Sequence, residues 1–182
     1  VFEDLGYKFK YLYNIIGKPS PLKKMQSFIK AANASKTMEK TRVGMMGYRD
    51  MKLYNTLYDG LSLKSKIGTE IDFFEMLEMV QVSEGIGDKE VRVVLDKIKK
   101  VWDFEKPVDD DFLIKGIRYY LAVGRIVESK MFDAVSIKDV DGMKKILNCP
   151  PTMIFMLLSD EMHVCTIPEN DTMGAVTQLV VK

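Results

Sequence analysis

The hydrophobic positions of the first forty residues recur with the period of an amphipathic helix. Apolar side chains follow this period over 2–16 and again over 22–32, with Gly17 and a Pro-Ser-Pro break between the two runs. Glycine commonly follows the end of a helix and proline its start, so the pattern predicts two consecutive helices. The polar, charged run 36–42 comes next, and we place the start of a compact domain near Thr41.

Beyond that point the pattern changes to short apolar runs separated by longer helical patterns. The apolar runs are predicted strands, at 42–48, 69–74, 134–137 and 163–167. The helical patterns lie at 53–67, 91–101, 109–130, 151–158 and 171–181. Strands that alternate with helices form right-handed crossovers and a parallel sheet with helices on both faces. The sequence therefore predicts an α/β fold of three layers, helix–sheet–helix, with a mainly parallel sheet of the Rossmann or flavodoxin type and an N-terminal helical connector.

Composition and charge exclude several classes of partner. With 27 basic and 26 acidic residues the formal net charge is +1, which supplies no electrostatic footprint for nucleic acid or an anionic membrane. No stretch approaches the ~20 apolar residues that cross a bilayer. The two cysteines, Cys149 and Cys165, are too few for a disulfide scaffold or a thiolate zinc site. We expect a cytoplasmic protein that binds neither nucleic acid nor membranes.

The two ends of the sequence indicate a piece of a longer protein. The first residue is Val1, and the last segment, 176–182, is an apolar run without a stop signal. We expect residues 1–40 to be a helical connector from a preceding N-terminal domain. Residues 41–182 are then an α/β domain whose C-terminal part is missing.

A glycine-containing turn and a histidine often belong to binding or catalytic sites, but neither pattern is complete in this sequence. Gly44 and Gly47 lie in the run VGMMGYRD, but the spacing of a phosphate-binding loop is absent, so we interpret both as residues of a tight turn after a strand. His163 is the only histidine and falls within a predicted strand, and nothing around it suggests a Ser–His or Cys–His pair.

The most informative stretch is 150–175, where an apolar helix and a strand lead to Glu169 and Asp171. In a parallel sheet the residues that follow a strand line the ligand crevice, so the two carboxylates are placed where a cation or a polyol would meet them. A second interpretation stays open, in which Asp171 caps the last helix and Glu169 is a solvated loop residue.

This stretch resembles the group of metal-dependent sugar isomerases that contains L-fucose isomerase and L-arabinose isomerase. The shared pattern is an apolar helix, an Asp-Glu turn, a strand and then Glu-x-Asp-x-x-Gly-Ala, matched here by Glu169, Asp171, Gly174 and Ala175. The segment 43–77 is similar to the opening of the middle domain in those enzymes, and 117–138 resembles the helix and strand that follow. The resemblance covers about residues 41–182, which would make them the middle domain of such an isomerase.

The resemblance implies a site that this sequence contains only in part. In the family a divalent ion, usually Mn²⁺, is held by a glutamate, an aspartate on the next strand and a histidine of a C-terminal domain. Only the glutamate carries over, to Glu169, because the sequence stops at Lys182 and His163 is out of place. Lys138 occupies a position where these enzymes bring a polar side chain to the sugar, although a surface lysine is an equal interpretation. Asp171 would either support the metal ligand from outside the coordination sphere or cap the last helix.

The implied activity is the interconversion of an aldose and a ketose through an ene-diol, with Glu169 as metal ligand and as one general acid/base. The intact protein would be a homo-oligomer, and the 182-residue piece alone would be inactive. The alternative is a sugar-binding or regulatory α/β module without chemistry. A flavodoxin-like electron carrier is less well supported, because no aromatic flavin sandwich or Ser/Thr-rich phosphate loop is present.

Overall fold

A computed structural model describes all 182 residues of the chain. The strands are β1 (Arg42–Met46), β2 (Glu70–Phe74), β3 (Ala134–Ile137) and β4 (Cys165–Pro168). The helices are α1 (Leu22–Met38), α2 (Gly60–Lys66), α3 (Met76–Glu84), α4 (Asp88–Val101), α5 (Asp110–Lys130), α6 (Thr152–Met162) and α7 (Thr172–Val181). A single π-helical segment, Asp139–Lys144, follows β3.

The four strands form one sheet in the order β2-β1-β3-β4, and every neighbouring pair is parallel. This is the order of the first four strands in flavodoxin-type folds, in which the chain reverses direction across the sheet between β1 and β3. Helices cover both faces, so the predicted three-layer α/β fold is confirmed.

The two faces of the sheet bury separate apolar cores because successive side chains of a strand point to opposite faces. Met46 and Val135 pack in the larger core, which α3, α4, α5 and α6 cover. Val43 and Met45 pack in a smaller core beneath α1, α2 and α7. Strands buried on both faces need apolar residues at consecutive positions, which explains the short apolar runs in the sequence.

One glycine of β1 is required by a close approach between strand and core. A Cβ on Gly44 would lie 2.4 Å from Cδ2 of Phe132, which is buried and stacked on Phe74 with ring centroids 5.7 Å apart. Gly44 is therefore a packing residue of the central strand, which agrees with its interpretation as structural and not as part of a phosphate loop.

Only one of the two helices predicted in the N-terminal region is present. The second predicted helix is confirmed as α1, but the helix predicted over 2–16 is wrong, since residues 2–6 form a turn and 7–15 have no regular structure. Aromatic residues and lysines alternate over 7–11, Gly6 has a φ of 73°, and the apolar side chains are exposed. Without a surface to pack on, a short helix rich in aromatic residues is not stable.

Four further features differ from the prediction. The helix predicted over 53–67 is reduced to α2: residues 53–59 form no helix, and Asp59 caps α2 with its side chain, which accepts a hydrogen bond from the N–H of Ser62. α3 and the π-helical segment were not predicted. His163 does not belong to a strand: it ends α6 with a φ of 54°.

No helix in the structure combines the length and the apolarity that crossing a bilayer requires.

Candidate active site

The carboxyl ends of the four strands bring four residues into one row. Met46 pairs with both Phe74 and Ile137, and Ile137 pairs with Pro168. The residues that follow these positions therefore lie in the order Glu75, Gly47, Lys138 and Glu169. The backbone pairing continues into the row, since the N–H of Gly47 donates to Phe74 at 2.8 Å and that of Lys138 to Met46 at 3.1 Å. Neighbouring strands are ~4.8 Å apart, so Lys138 and Glu169 are neighbours at the crevice.

Glu169 is held in an unusual backbone conformation. It has a φ of 64° and the next residue, Asn170, a φ of 53°, two consecutive left-handed residues without glycine. Such conformations cost about 1–3 kcal/mol each and are concentrated at functional sites. Glu169 is half-buried, and its carboxylate makes no hydrogen bond or ion pair within the chain. Its charge is therefore available to a ligand.

Asn170 ties the loop after β4 back across the sheet. Its side-chain Nδ2 donates to the carbonyl oxygen of Met46 at 3.2 Å, and the residue is 4% exposed. Its Oδ1 is buried without a partner, and the side chain lines a pocket of about 40 Å³, which has room for a single water molecule. Asn170 was not predicted as a site residue, although asparagine is among the non-glycine residues that best tolerate a left-handed conformation.

Lys138 presents an unpaired ammonium at the same edge. Its aliphatic chain lies against two glycines: a Cβ on Gly47 would be 3.2 Å from the lysine Cβ, and a Cβ on Gly142 would be 3.3 Å from its Cγ. The side chain is half-buried, and its Nζ forms no hydrogen bond or ion pair within the chain. The two glycines thus leave space for the stem of the lysine, and the head group is free.

Asp171 caps α7. Its Oδ1 accepts a hydrogen bond from the N–H of Gly174 at 2.9 Å, and its backbone is extended as in an N-cap. This hydrogen bond makes Asp171 a helix cap, which is one of the two roles that the sequence left open for it. It also fixes the start of the helix immediately after Glu169.

A buried pair of carboxyl groups, Asp50 and Asp139, lies beside the row and was not found in the sequence. Asp50 is 0% exposed and Asp139 is 6% exposed. Burial opposes the charge of Asp50, but hydrogen bonds from Asp139 and from backbone N–H groups outweigh it and hold the pKa of Asp50 below its usual range. Burial and the hydrogen bond to Asp50 raise the pKa of Asp139, against the attraction of Lys144. Both aspartates follow closely on the ends of central strands, the signal that could have found them.

The residues present do not form a Mn²⁺ site. No three His, Cys, Asp or Glu side chains converge anywhere in the chain. His163 is exposed and precedes β4 at the amino edge of the sheet, opposite the edge where Glu169 lies. One carboxylate offers at most two of the ~6 oxygen ligands of such an ion.

A larger groove of about 650 Å³ lies at the amino edge of the sheet, between α1 and α7. Half of its twelve lining residues are hydrophobic, and none of the four residues that follow the strand ends lines it. The carboxyl edge is therefore the candidate site, although the pocket there is much smaller and is lined by neither Lys138 nor Glu169.

Comparison with known proteins adds no family: no protein-family model matches the sequence, and a search of curated proteins finds no match.

Proposed function

We propose that this chain supplies the proton-transferring carboxylate of an aldose–ketose isomerase, and that the carboxylate is Glu169. The observation that carries the proposal is that Lys138 and Glu169, two residues whose charged side chains are unpaired, follow neighbouring strands at the carboxyl edge of a parallel sheet. The sequence resemblance to L-fucose and L-arabinose isomerases supports the same residue. The position at the strand end and the family resemblance therefore both point to Glu169.

The chemistry requires a base next to C2 of the sugar. Glu169 removes the proton from C2 of the aldose, which leaves an ene-diolate between C1 and C2, and it returns the proton to C1 to give the ketose. The ammonium of Lys138 stabilises the negative charge that develops on the adjacent oxygen. The proton that moves between O2 and O1 requires a second acid/base group besides Glu169.

A metal ion would take part in the proposed reaction only if residues outside this chain supplied its remaining ligands. Glu169 is the one ligand that the family pattern assigns to this chain, and the described side chains do not complete a Mn²⁺ site. We therefore expect the 182-residue chain alone to bind Mn²⁺ weakly and to convert no sugar. Calorimetric titration with Mn²⁺ and an aldose-to-ketose assay measure both, and robust turnover by this chain would contradict the incomplete site.

The decisive experiment uses the natural full-length protein with L-fucose and L-arabinose in D₂O. Proton transfer through a carboxylate places deuterium at C1 of the ketose, which NMR detects even when net conversion is small. Glu169→Gln should reduce both exchange and turnover by about 10²–10⁴-fold, the usual contribution of a general base. Lys138→Met keeps the aliphatic stem and should lower kcat.

The matched control is Asp160→Asn, since Asp160 is exposed on α6 and forms no contact with another charged group. It should exchange deuterium at the wild-type rate. Wild-type exchange by Glu169→Gln would overturn the assignment. Saturable sugar binding without exchange in the wild-type protein would favour the module without chemistry.

A further inference from the structure

The loop after β1 caps a helix that belongs to a distant part of the chain. Asp50 accepts hydrogen bonds from the N–H groups of Val140 at 2.8 Å and Asp141 at 2.8 Å, which lie in the first turn of the π-helical segment Asp139–Lys144. It also accepts a bond from Met51 at 3.0 Å. The first N–H groups of a helix have no partner within it, so Asp50 satisfies donors that would otherwise be buried and unpaired.

The contact is reciprocal. The N–H of Met51 lies 2.9 Å from Oδ2 of Asp141, so each segment donates a backbone N–H to a carboxylate of the other. Met51 and Lys52 have φ values of 44° and 58°, which turn the loop toward the π-helical segment. Two stretches of chain about ninety residues apart are thereby joined beside the candidate site.

A second carboxyl group is buried beside Asp50. Asp139 is 6% exposed, and its Oδ1 is enclosed without a hydrogen-bond partner, while Asp50 accepts the N–H of the next residue, Val140. Oδ2 of Asp139 is 3.0 Å from Nζ of Lys144. Two carboxylates in a shared buried site cannot both be ionised without strong repulsion, so one of the two must hold a proton.

We propose that Asp50 and Asp139 share one proton in a clamp that positions Lys138 at the crevice. The proposal rests on the proposed function for the importance of Lys138, while the clamp itself does not. Lys138 directly precedes Asp139, and its carbonyl oxygen accepts the N–H of Met143 at 3.1 Å within the π-helical segment. Because the lysine stem lies between Gly47 and Gly142, a shift of either clamped segment moves the ammonium.

The proton resides on Asp139. Asp50 has three backbone N–H donors that favour its charged form, whereas Asp139 has only Lys144. The other charged groups at the clamp are Asp141 and Lys145, whose ion pair of 2.7 Å neutralises both. Accordingly, the pKa of Asp139 is raised by burial and by Asp50. Loss of the shared proton at high pH leaves two adjacent buried charges, and the clamp opens.

The test of the clamp needs no substrate. In protein labelled with ¹³C at aspartate carboxyls and followed across about pH 4–9, the pKa of Asp139 should be raised above the ordinary aspartate value. Hydrogen exchange at Val140 and Asp141, corrected for intrinsic exchange, should show protection that falls by about tenfold per pH unit above that transition. Titration of Asp139 within the ordinary carboxyl range, or protection that does not vary with pH, would overturn the proposal.

Substitutions separate the shared proton from simple packing. Asp139→Asn donates an amide hydrogen to Asp50 at every pH, so its protection should no longer depend on pH, whereas Asp139→Ala should lose protection throughout. Asp96→Asn, at an exposed and unpaired aspartate of α4, should behave as wild type. A wild-type pH profile in Asp139→Asn would exclude proton sharing, and the wild-type titration decides the matter if a variant fails to fold.

Turnover by the full-length protein separates the clamp from the proposed function. If Lys138 is positioned by the clamp, kcat of the wild type should fall as Asp139 loses its proton, and Asp139→Asn should abolish that alkaline fall. A pH-dependent clamp combined with an active Glu169→Gln variant would refute only the isomerase proposal. Loss of activity in Glu169→Gln combined with the same kcat profile in wild type and Asp139→Asn would refute only the positioning role.

Discussion

The side-chain amide of Asn170 donates a hydrogen bond to the main-chain carbonyl oxygen of Met46, at 3.2 Å and across 124 positions of sequence. Through this bond the loop after β4 is anchored to the end of β1, and the strained Glu169 is held at the edge between them. Asn170 also adopts the left-handed conformation itself, with a φ of 53°. One residue thus satisfies two requirements of the candidate site.

Replacing Asn170 separates these two roles. Asn170→Ala removes the hydrogen bond and places a residue that disfavours the left-handed region at this position, so the free energy of unfolding should fall by about 1–3 kcal/mol. Asn170→Gly loses the bond but tolerates the conformation, so it should be less destabilising. Urea unfolding measures both values, and equal losses would mean that backbone strain plays no part.

Glu169 should show a trade-off between stability and activity. Glycine accepts a φ of 64° without steric cost, so Glu169→Gly should leave the free energy of unfolding unchanged or raise it by up to about 1 kcal/mol, while isomerase activity is lost. Thermal unfolding and deuterium exchange into the sugar are measured on the same sample. A clearly destabilised variant would indicate that the Glu169 side chain contributes contacts to the fold.

Because β1 approaches the core closely at Gly44, we expect even one added methyl group at this position to destabilise the fold. A methyl group on Gly44 would lie 2.4 Å from the buried ring of Phe132, so Gly44→Ala should cost about 1–3 kcal/mol through overpacking. Phe132→Leu creates space, and the double variant should lose less than the sum of the two single variants. Additive losses of unfolding free energy in a double-mutant cycle would show that the added methyl group does not clash with the Phe132 ring.

Asp171 should matter for stability through its cap. Asp171→Ala removes the bond to the N–H of Gly174 and should lower the free energy of unfolding by about 1 kcal/mol, whereas Asp171→Ser should retain most of it. Chemical unfolding measures the difference. If the serine variant is stable but inactive in the full-length protein, Asp171 has a further role toward Glu169 beyond capping.

The carboxyl pair predicts how stability depends on pH. The pKa of Asp139 is raised in the folded state, so its contribution is complete below the ordinary carboxyl pKa and is lost as pH rises through the raised value. The pKa of Asp50 is lowered, so its contribution is complete above the ordinary pKa and is lost as pH falls through the lowered value.

Urea unfolding at a series of pH values should therefore show a loss of stability on both sides of the ordinary carboxyl range. The alkaline loss should disappear in Asp139→Asn and persist in Asp96→Asn. An alkaline loss of equal size in both variants would assign it to groups other than the pair.

Much of the fold could be predicted because its signals are local. The apolar runs at β1 and β3 and the helical periods of α4 and α5 are properties of neighbouring residues, and the structure places all four elements as predicted. The helix predicted over 2–16 failed for the converse reason. Its period was correct, but periodicity stabilises a helix only when another surface covers the apolar face.

The candidate site was predictable only in part. Glu169 was proposed because it follows a predicted strand and matches the family pattern, and Lys138 because the resemblance places a polar side chain there. The structure puts both at one edge, since strand ends in a parallel sheet share an edge. Asp50, Asp139 and Asn170 were missed because their roles come from partners about ninety or more positions away. No local pattern distinguishes an aspartate that caps a distant helix from one exposed in a loop.

The sequence by itself determined the class of fold and its parallel strands, and it allowed Asp171 as a cap, because these depend on period and on contacts within a few residues. Only the tertiary structure decided that Lys138 and Glu169 follow neighbouring strands with unpaired side chains and that Asp50 caps the segment that begins at Asp139. Strand order and register set these placements, and they follow from how the two cores pack against the sheet.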